Sequence, residues 1–585
     1  MRESWVTTCL MAGLLLSAPL SGAQEAGNYV FYEEITIVGT RDQVRQITGS
    51  AHYVGAEDLD RFKYTDIQRI ARQVPGVSIQ VEDGYGLRPN IAIRGVPTER
   101  SARVTLLEDN VLIAPAPYSA PSAYYFPTVG RMQAFEVLKG PSAITQGPYT
   151  IGGALNMIST PVPASSRGHL LVETGQDSTH RLHAYYGDRT EGGFGYLLET
   201  HQWVSDGFQD IDRSSRNTGL DVADYMVKLS YAPDDSRHRV ELKLQYADQS
   251  SNQSYLGLTD TGFDADPLRR YGLSEFDTID TEHQQVIVRY EFTLSDSVTL
   301  AATAYNNEHK RDWFKTEGID FDGSSNAEAF TRTSWFNVIQ ATNRGDSLQG
   351  VSAAAMQSIL DGDLDTADGA VQLRSNAREY FSRGVQFVGT WYGQLGATNH
   401  VLEVGLRYHE DEEDRLQRNS TYTQRSGRLV LDDFGLLGNA GNRIQQAQAW
   451  AMYIYDRIEI GNWVLTPGLR HEDISQQRTR FETRSGRTSD PSSRAPDNIR
   501  DIRRNTTRVW LPGVGALYQV NEAVSILGGV HKGFTAPSNS PGVDEEEAIN
   551  YEVGLRFQAG PYHLDAIGFL TDYDNLLGEC TGSSG

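Results

Sequence analysis

Four short runs decide the fold: Ile91-Ala92-Ile93-Arg94-Gly95; Val104-Thr105-Leu106-Leu107 leading into Glu108-Asp109-Asn110; Ala134-Phe135-Glu136-Val137-Leu138-Lys139-Gly140; and Ile151-Gly152-Gly153-Ala154-Leu155-Asn156-Met157-Ile158. Apolar runs this short, bounded by Gly, Asp and Asn, read as strands joined by turns, and together they predict a compact mixed sheet within 91–160. Upstream, Ile67, Ile70, Ala71 and Val74 fall at helical spacing and Pro75-Gly76 stops the run, which predicts one helix over 56–74. Downstream, Pro161-Val162-Pro163 breaks the pattern and marks a boundary.

From Gly168 onward the period changes to two. Val240, Leu242, Leu244 and Tyr246 alternate with Glu241, Lys243 and Gln245, and Leu402, Val404, Leu406 and Tyr408 alternate with Glu403, Arg407 and His409. One greasy face and one charged face fit a membrane barrel with a wet lumen, and equally a soluble β-sandwich. Connection lengths separate the two. Tight turns at 232–236, 294–297, 394–399, 460–462 and 520–522 alternate with long polar stretches near 250–281, 314–378, 411–442 and 476–505. Short turns on one side and long loops on the other are the habit of outer-membrane barrels.

The run Val74-Pro75-Gly76-Val77, the Ile93-Arg94-Gly95 triplet, Glu136-Val137-Leu138-Lys139-Gly140-Pro141 and Ile151-Gly152-Gly153 stand in an order that resembles the plug domain of TonB-dependent outer-membrane receptors. Ala116-Pro117-Tyr118 followed by Tyr125-Phe126-Pro127 is similar to the ferric dicitrate branch of that family. In the second part, the stretch from Gly533 to Ser538 and Asn550-Tyr551-Glu552-Val553-Gly554-Leu555-Arg556 resemble its strand sequences. The resemblance implies a β fold, a transmembrane antiparallel barrel of the twenty-two-strand type behind an N-terminal α+β plug. About fifteen strands are counted in this sequence, so the last ones are expected to be missing.

The expected organisation is a signal peptide over 1–23, a coupling segment and linker over 24–50, the plug over 51–163 and the barrel over 164–585. Arg2, the apolar region around 10–20 and Ser21-Gly22-Ala23 carry the first of these, with the mature chain beginning near Gln24. Glu33-Glu34-Ile35-Thr36-Ile37-Val38 then gives an acidic start and alternating β-branched residues; it reads as the first plug strand or, by the resemblance, as the TonB box. In the second reading Glu34, Ile35, Thr36, Ile37 and Val38 add as a strand to TonB, which relays work from its inner-membrane energising complex.

A net charge of −24 argues against a nucleic-acid partner. The mean hydropathy of −0.45 does not exclude a membrane wall, since a barrel turns only alternate residues to lipid. Cys9 falls within the expected signal peptide, leaving Cys580 without an internal partner. His180 and His183 point to opposite faces of a strand, so neither a metal site nor a cofactor is expected. No Gly-x-Ser-x-Gly elbow occurs, and the chain is not read as an enzyme.

By the resemblance, Arg100 and Arg103 lie on one apical plug loop and Tyr118, Tyr124 and Tyr125 on the next, where they would meet the ligand. Guanidinium forks suit citrate carboxylates; the same arginines could instead pair with acids of the wall. Arg269 and Arg270 on an outer loop could add charge over the mouth. The expected function is TonB-dependent uptake of a ferric chelate, ferric citrate or another siderophore, by a monomer in the bacterial outer membrane. The alternatives are a cobalamin, a nickel chelate, or a docking barrel that transports nothing.

Overall fold

The computed structural model describes residues 35–575 except 485–486 and 538–541. The expected signal peptide, Glu34 and Cys580 lie outside the described residues.

The N-terminal unit is built on a five-stranded mixed sheet, in the order Ala51–Val54, Met132–Leu138, Ala154–Ser159, Thr105–Glu108, Val111–Leu112. Only the pairing of Thr105–Glu108 with Ala154–Ser159 is parallel. The run at Ile91–Ile93 stays out of this sheet and pairs with Val77–Ile79 instead. Leu106, Phe135, Val137, Leu155 and Met157 form the core with Ile67, Ile70 and Val74. The single helix expected over 56–74 is two, Ala56–Phe62 and Ile67–Ala71. Lys63 turns left-handed at φ 51° and ends the first; the Asp66 carboxylate accepts the Gln68 amide at 2.7 Å and starts the second.

Fifteen long strands follow, from Arg167–Thr174 to Tyr562–Asp574, each antiparallel to its neighbour. Val286, Val288 and Tyr290 stand exposed on the outside while Gln285 and Arg289 are buried inside, as the alternation requires. The sheet curls into a barrel, although among the described residues no register joins Tyr562–Asp574 to Arg167–Thr174. Exposure on both faces of that last strand agrees with a seam there. No described helix is long and apolar enough to cross a membrane, which leaves crossing by strands untouched.

The small unit sits within the circumference of this wall. Arg181 donates to Lys63 O at 2.8 Å, Asn307 to Leu112 O at 3.1 Å, Gln386 to Asn110 O at 3.1 Å, Arg470 to Thr145 O at 3.0 Å and Arg556 to Ile47 O at 2.7 Å. These donors come from strands all the way round, so the unit is a stopper. The Arg94 guanidinium of the Ile93-Arg94-Gly95 triplet salt-bridges Glu552 of the wall, and Glu552 also accepts the Ser50 amide at 3.2 Å. Pro141–Thr145 rests on wall glycines: a Cβ on Gly529 would lie 2.3 Å from Pro141 Cγ, so only glycine admits this approach.

The long polar stretches are not all loop. Val298–Ile319, Thr398–Arg425 and Trp463–Phe481 carry strand well into them, and Thr398–Arg425 alone runs 28 residues, where crossing a bilayer takes about 9–11. Within 320–377 the outer excursion folds as helices Trp335–Arg344 and Ala353–Leu360 over a small core of Trp335, Val338, Met356, Leu360 and Leu373.

Candidate functional site

Above the stopper the inner wall carries arginines in cross-strand register. Arg311 lies opposite Arg378, Arg378 opposite Arg415, Arg415 opposite Arg443, Arg443 opposite Arg480, and Arg478 opposite Arg503. Residues directly opposite project to the same face, so these side chains form a belt across six adjoining strands. Two carboxylates interrupt it. Glu413 receives Arg378 at 2.8 Å, Arg415 at 3.0 Å and Arg443 at 3.3 Å; Asp501 receives Arg480 at 2.5 Å and Arg503 at 3.6 Å. Arg311 is 2% exposed, and its two terminal nitrogens have no hydrogen-bond partner among the described residues. A buried guanidinium held this way, beside like charges, is chemically a place for an anion.

Tyr124 rises from the stopper into this belt. The Arg311 guanidinium lies 3.6 Å from its ring centre, with Arg100 at 5.3 Å and Arg378 at 5.8 Å. Burial raises the phenol, but the charges of Arg311, Arg100, Arg378 and Lys315 outweigh it and bring it down to about 7.

The other expected ligand residues go elsewhere. Arg100 salt-bridges Glu82 of the stopper and donates to the Tyr255 hydroxyl, while Arg103 salt-bridges Glu546 of the wall. Tyr118 is buried: its hydroxyl donates to Glu472 at 3.0 Å and accepts from Arg407 at 2.8 Å, and its amide donates to Asp411 at 2.6 Å. Tyr125 stacks on His283 with ring centres 3.4 Å apart and donates to Glu108 at 3.3 Å. Each already has its polar side chain engaged, Arg100 from within the 3-10 turn Glu99–Ser101; Tyr124 alone of the five stands in the belt. Arg269 pairs with Asp212 at 2.5 Å and Asp361 at 3.0 Å. With Arg270, Glu82, Tyr255, Thr259 and Asp260 it lines a neighbouring cavity of about 600 Å³. None of the belt arginines was singled out from the sequence, because their alignment appears only once the strand registers are known.

Lower down, the turn at Glu108-Asp109-Asn110 is gripped by wall cations. Lys243 reaches Glu108 and Asp109, both at 2.8 Å; Lys228 reaches Asp109 at 3.6 Å; and Arg289 donates to Asp109 O at 2.6 Å. Arg131 of the stopper completes the network with Glu108 and Asp224, each at 2.9 Å. Burial works to raise the Glu108 and Asp109 carboxyls, but Arg131 and Lys243 hold the first below its usual range, and Lys228, Lys243 and Arg289 hold the second well below it.

The segment Ile35-Thr36-Ile37-Val38, expected either as a strand of the stopper or as a tether left free, is neither. It forms no strand, and Ile35 and Val38 are buried against the stopper. The amides of Ile37 and Val38, with that of the following Gly39, turn inward onto Glu136, which satisfies them without a sheet.

Residues 43–154 match the family model described as TonB-dependent Receptor Plug Domain, and residues 216–585 the one described as TonB dependent receptor-like, beta-barrel. The vitamin B12 transporter BtuB of Vibrio vulnificus is 24% identical over 581 residues, covering 96% of this chain and 75% of that protein. BtuB of Photobacterium profundum is 25% identical over 185 residues, 32% of this chain, and the match spans less than a third of that protein's length, 29%. Among solved structures, the unliganded ferric citrate transporter FecA superposes with a TM-score of 0.71 at 20% identity, over 92% of this chain and 71% of that one. The siderophore receptor PiuA of Acinetobacter baumannii gives 0.65 at 16% identity, over 89% and 72%. With a folded stopper inside a strand wall, and a barrel match running over more than half of its residues, the chain belongs to the TonB-dependent receptor family.

Proposed function

We propose that this receptor takes up a negatively charged ferric chelate, ferric citrate foremost, across the bacterial outer membrane, driven by TonB acting on Glu34–Val38. The observation that carries the ligand class is the arginine belt. Seven guanidinium groups facing two carboxylates repel one another until a polyanion arrives, and each fork offers paired donors to a carboxylate. The fold shared with the ferric citrate transporter is in keeping with this reading. Uptake of a cobalamin is the second reading, favoured by the two BtuB relatives. An uncharged face of the wall would suit it better than this belt does.

The stopper demands an energy source, because binding alone gives no inward direction. In cells expressing the full-length gene, Val38→Pro is expected to abolish uptake of radiolabelled ferric citrate while surface binding persists, since proline removes the amide that strand addition needs. Continued uptake would leave a receptor without a coupling strand, as in a docking protein.

The belt also fixes a pH dependence. Tyr124 is neutral below about 7 and a phenolate above it, and a phenolate adds negative charge where an anion must bind. Affinity for ferric citrate is therefore expected to fall as pH rises through 7, by at most about tenfold per pH unit for one proton. Calorimetric titrations of the wild type and Tyr124→Phe at matched pH check this: the variant should lose the added slope, and identical profiles would rule the phenol out.

A further inference from the structure

Glu136 lies on Met132–Leu138, the second strand of the stopper's sheet, and is fully buried. Among the described residues, four donors surround its carboxylate. One oxygen accepts the Ile37 amide at 2.8 Å and the Asn156 side-chain amide at 2.9 Å; the other accepts the amides of Val38 at 3.2 Å and Gly39 at 2.8 Å. Asn156 Nδ2 also donates to Ile35 O at 2.8 Å. Apolar contacts complete the dock, Ile35 with Ala134 and Ile158, and Val38 with Val44, Leu138 and Ala143.

An incoming strand takes alternate amides of this stretch, those of Ile37 and Gly39 or that of Val38, and a backbone N–H cannot serve both it and Glu136. We propose that Glu136 is the latch of the coupling segment: its carboxylate holds these three amides against the stopper, and capture by TonB requires their release from it. The inference rests on reading 34–38 as the coupling segment. Glutamine cannot replace the carboxylate, because its NH2 would face two donors. Burial pushes the Glu136 carboxyl up to about 7 even against the pull of its donors.

The latch also lies within reach of the ligand side. Asn156 accepts the Asn110 amide at 3.0 Å, in the turn whose Glu108 takes the hydroxyl of Tyr125, the neighbour of the belt residue Tyr124. Glu136 is thus a positioning residue at the inner end of contacts that begin at the belt.

Amide exchange on the full-length receptor in detergent, with and without a purified TonB periplasmic domain, tests this. In the wild type, Ile37, Val38 and Gly39 should be protected. In Glu136→Gln they should exchange faster, on the order of tenfold or more, with Leu106 and Leu155 unchanged, and the variant should capture the TonB domain with no chelate present. Free exchange of these amides in the wild type, or full protection in Glu136→Gln, overturns the latch. If Glu136→Gln also loosens Leu155, Asn156→Ala decides: it takes a polar side chain from the same sheet but keeps the carboxylate, so the amides at 37–39 must stay protected for the proposal to stand. A receptor whose 37–39 amides open in Glu136→Gln, yet which still imports iron as Val38→Pro, keeps the latch and loses the coupling reading.

Discussion

Arg311→Gln combined with Arg378→Gln is expected to lower the affinity for the proposed ligand, ferric citrate, by about a hundredfold or more, the loss of two charge-assisted contacts at about 1.5–3 kcal/mol each. Glutamine keeps a polar side chain of similar reach and removes only the charge and the fork. Arg311 is the cleaner of the two, since no described acid pairs with it and its terminal nitrogens await a partner. Removing Arg378 leaves Glu413 with Arg415 at 3.0 Å and Arg443 at 3.3 Å, so the wall does not acquire an unpaired carboxylate. Equilibrium titration on purified protein gives the result directly. An affinity unchanged within about twofold would mean that the chelate does not sit in the belt, and cobalamin binding would then be the reading to pursue.

Lys243→Met destabilises the stopper by about 3–5 kcal/mol, the scale of breaking a buried ion pair from one side. Lys243 is fully buried and touches Glu108 and Asp109 at 2.8 Å each. Without it, Glu108 keeps Arg131, while Asp109 keeps the Ser159 hydroxyl at 2.5 Å and, as its remaining side-chain cation, only the longer contact with Lys228. Differential scanning calorimetry should show a lowered transition for the stopper while the wall transition holds. Adding Asp109→Asn should recover part of the loss, because the stranded charge goes with it. A single variant as stable as the wild type would show that water reaches this turn.

The architecture was legible because each part of it writes a period. Alternation at Val286–Tyr290 and the tight turns at 294–297 and 394–399 do not depend on anything distant, and about fifteen strands could be counted from them. What failed was local in another way. The break after Phe62 hangs on Lys63 adopting a left-handed backbone, which nothing in a helical spacing announces. The strands that overshoot the bilayer lose their apolar–polar alternation, so 411–425 reads as loop although it is paired throughout and 419–424 are buried. The site was less legible still. Arg100 and Arg103, expected on one apical loop to meet the ligand, have their charges taken by Glu82 and Glu546, which lie 18 and 443 positions away in the sequence. The belt depends on five separate registers, and a slip of one residue in any of them would turn an arginine to the outer face of the wall. The segment at 35–38 has the composition of a strand, and only the Glu136 carboxylate, about a hundred residues on, gives its amides another place to go.

The cross-strand arginines also bear on the empty receptor. Like charges set side by side push the strands apart, and Glu413 and Asp501 offset only part of that repulsion. A bound polyanion should therefore tighten the mouth and raise the unfolding temperature of the wall itself, and moderate salt alone should do so in part. The receptor would then be most yielding when unloaded and stiffest when it carries its cargo.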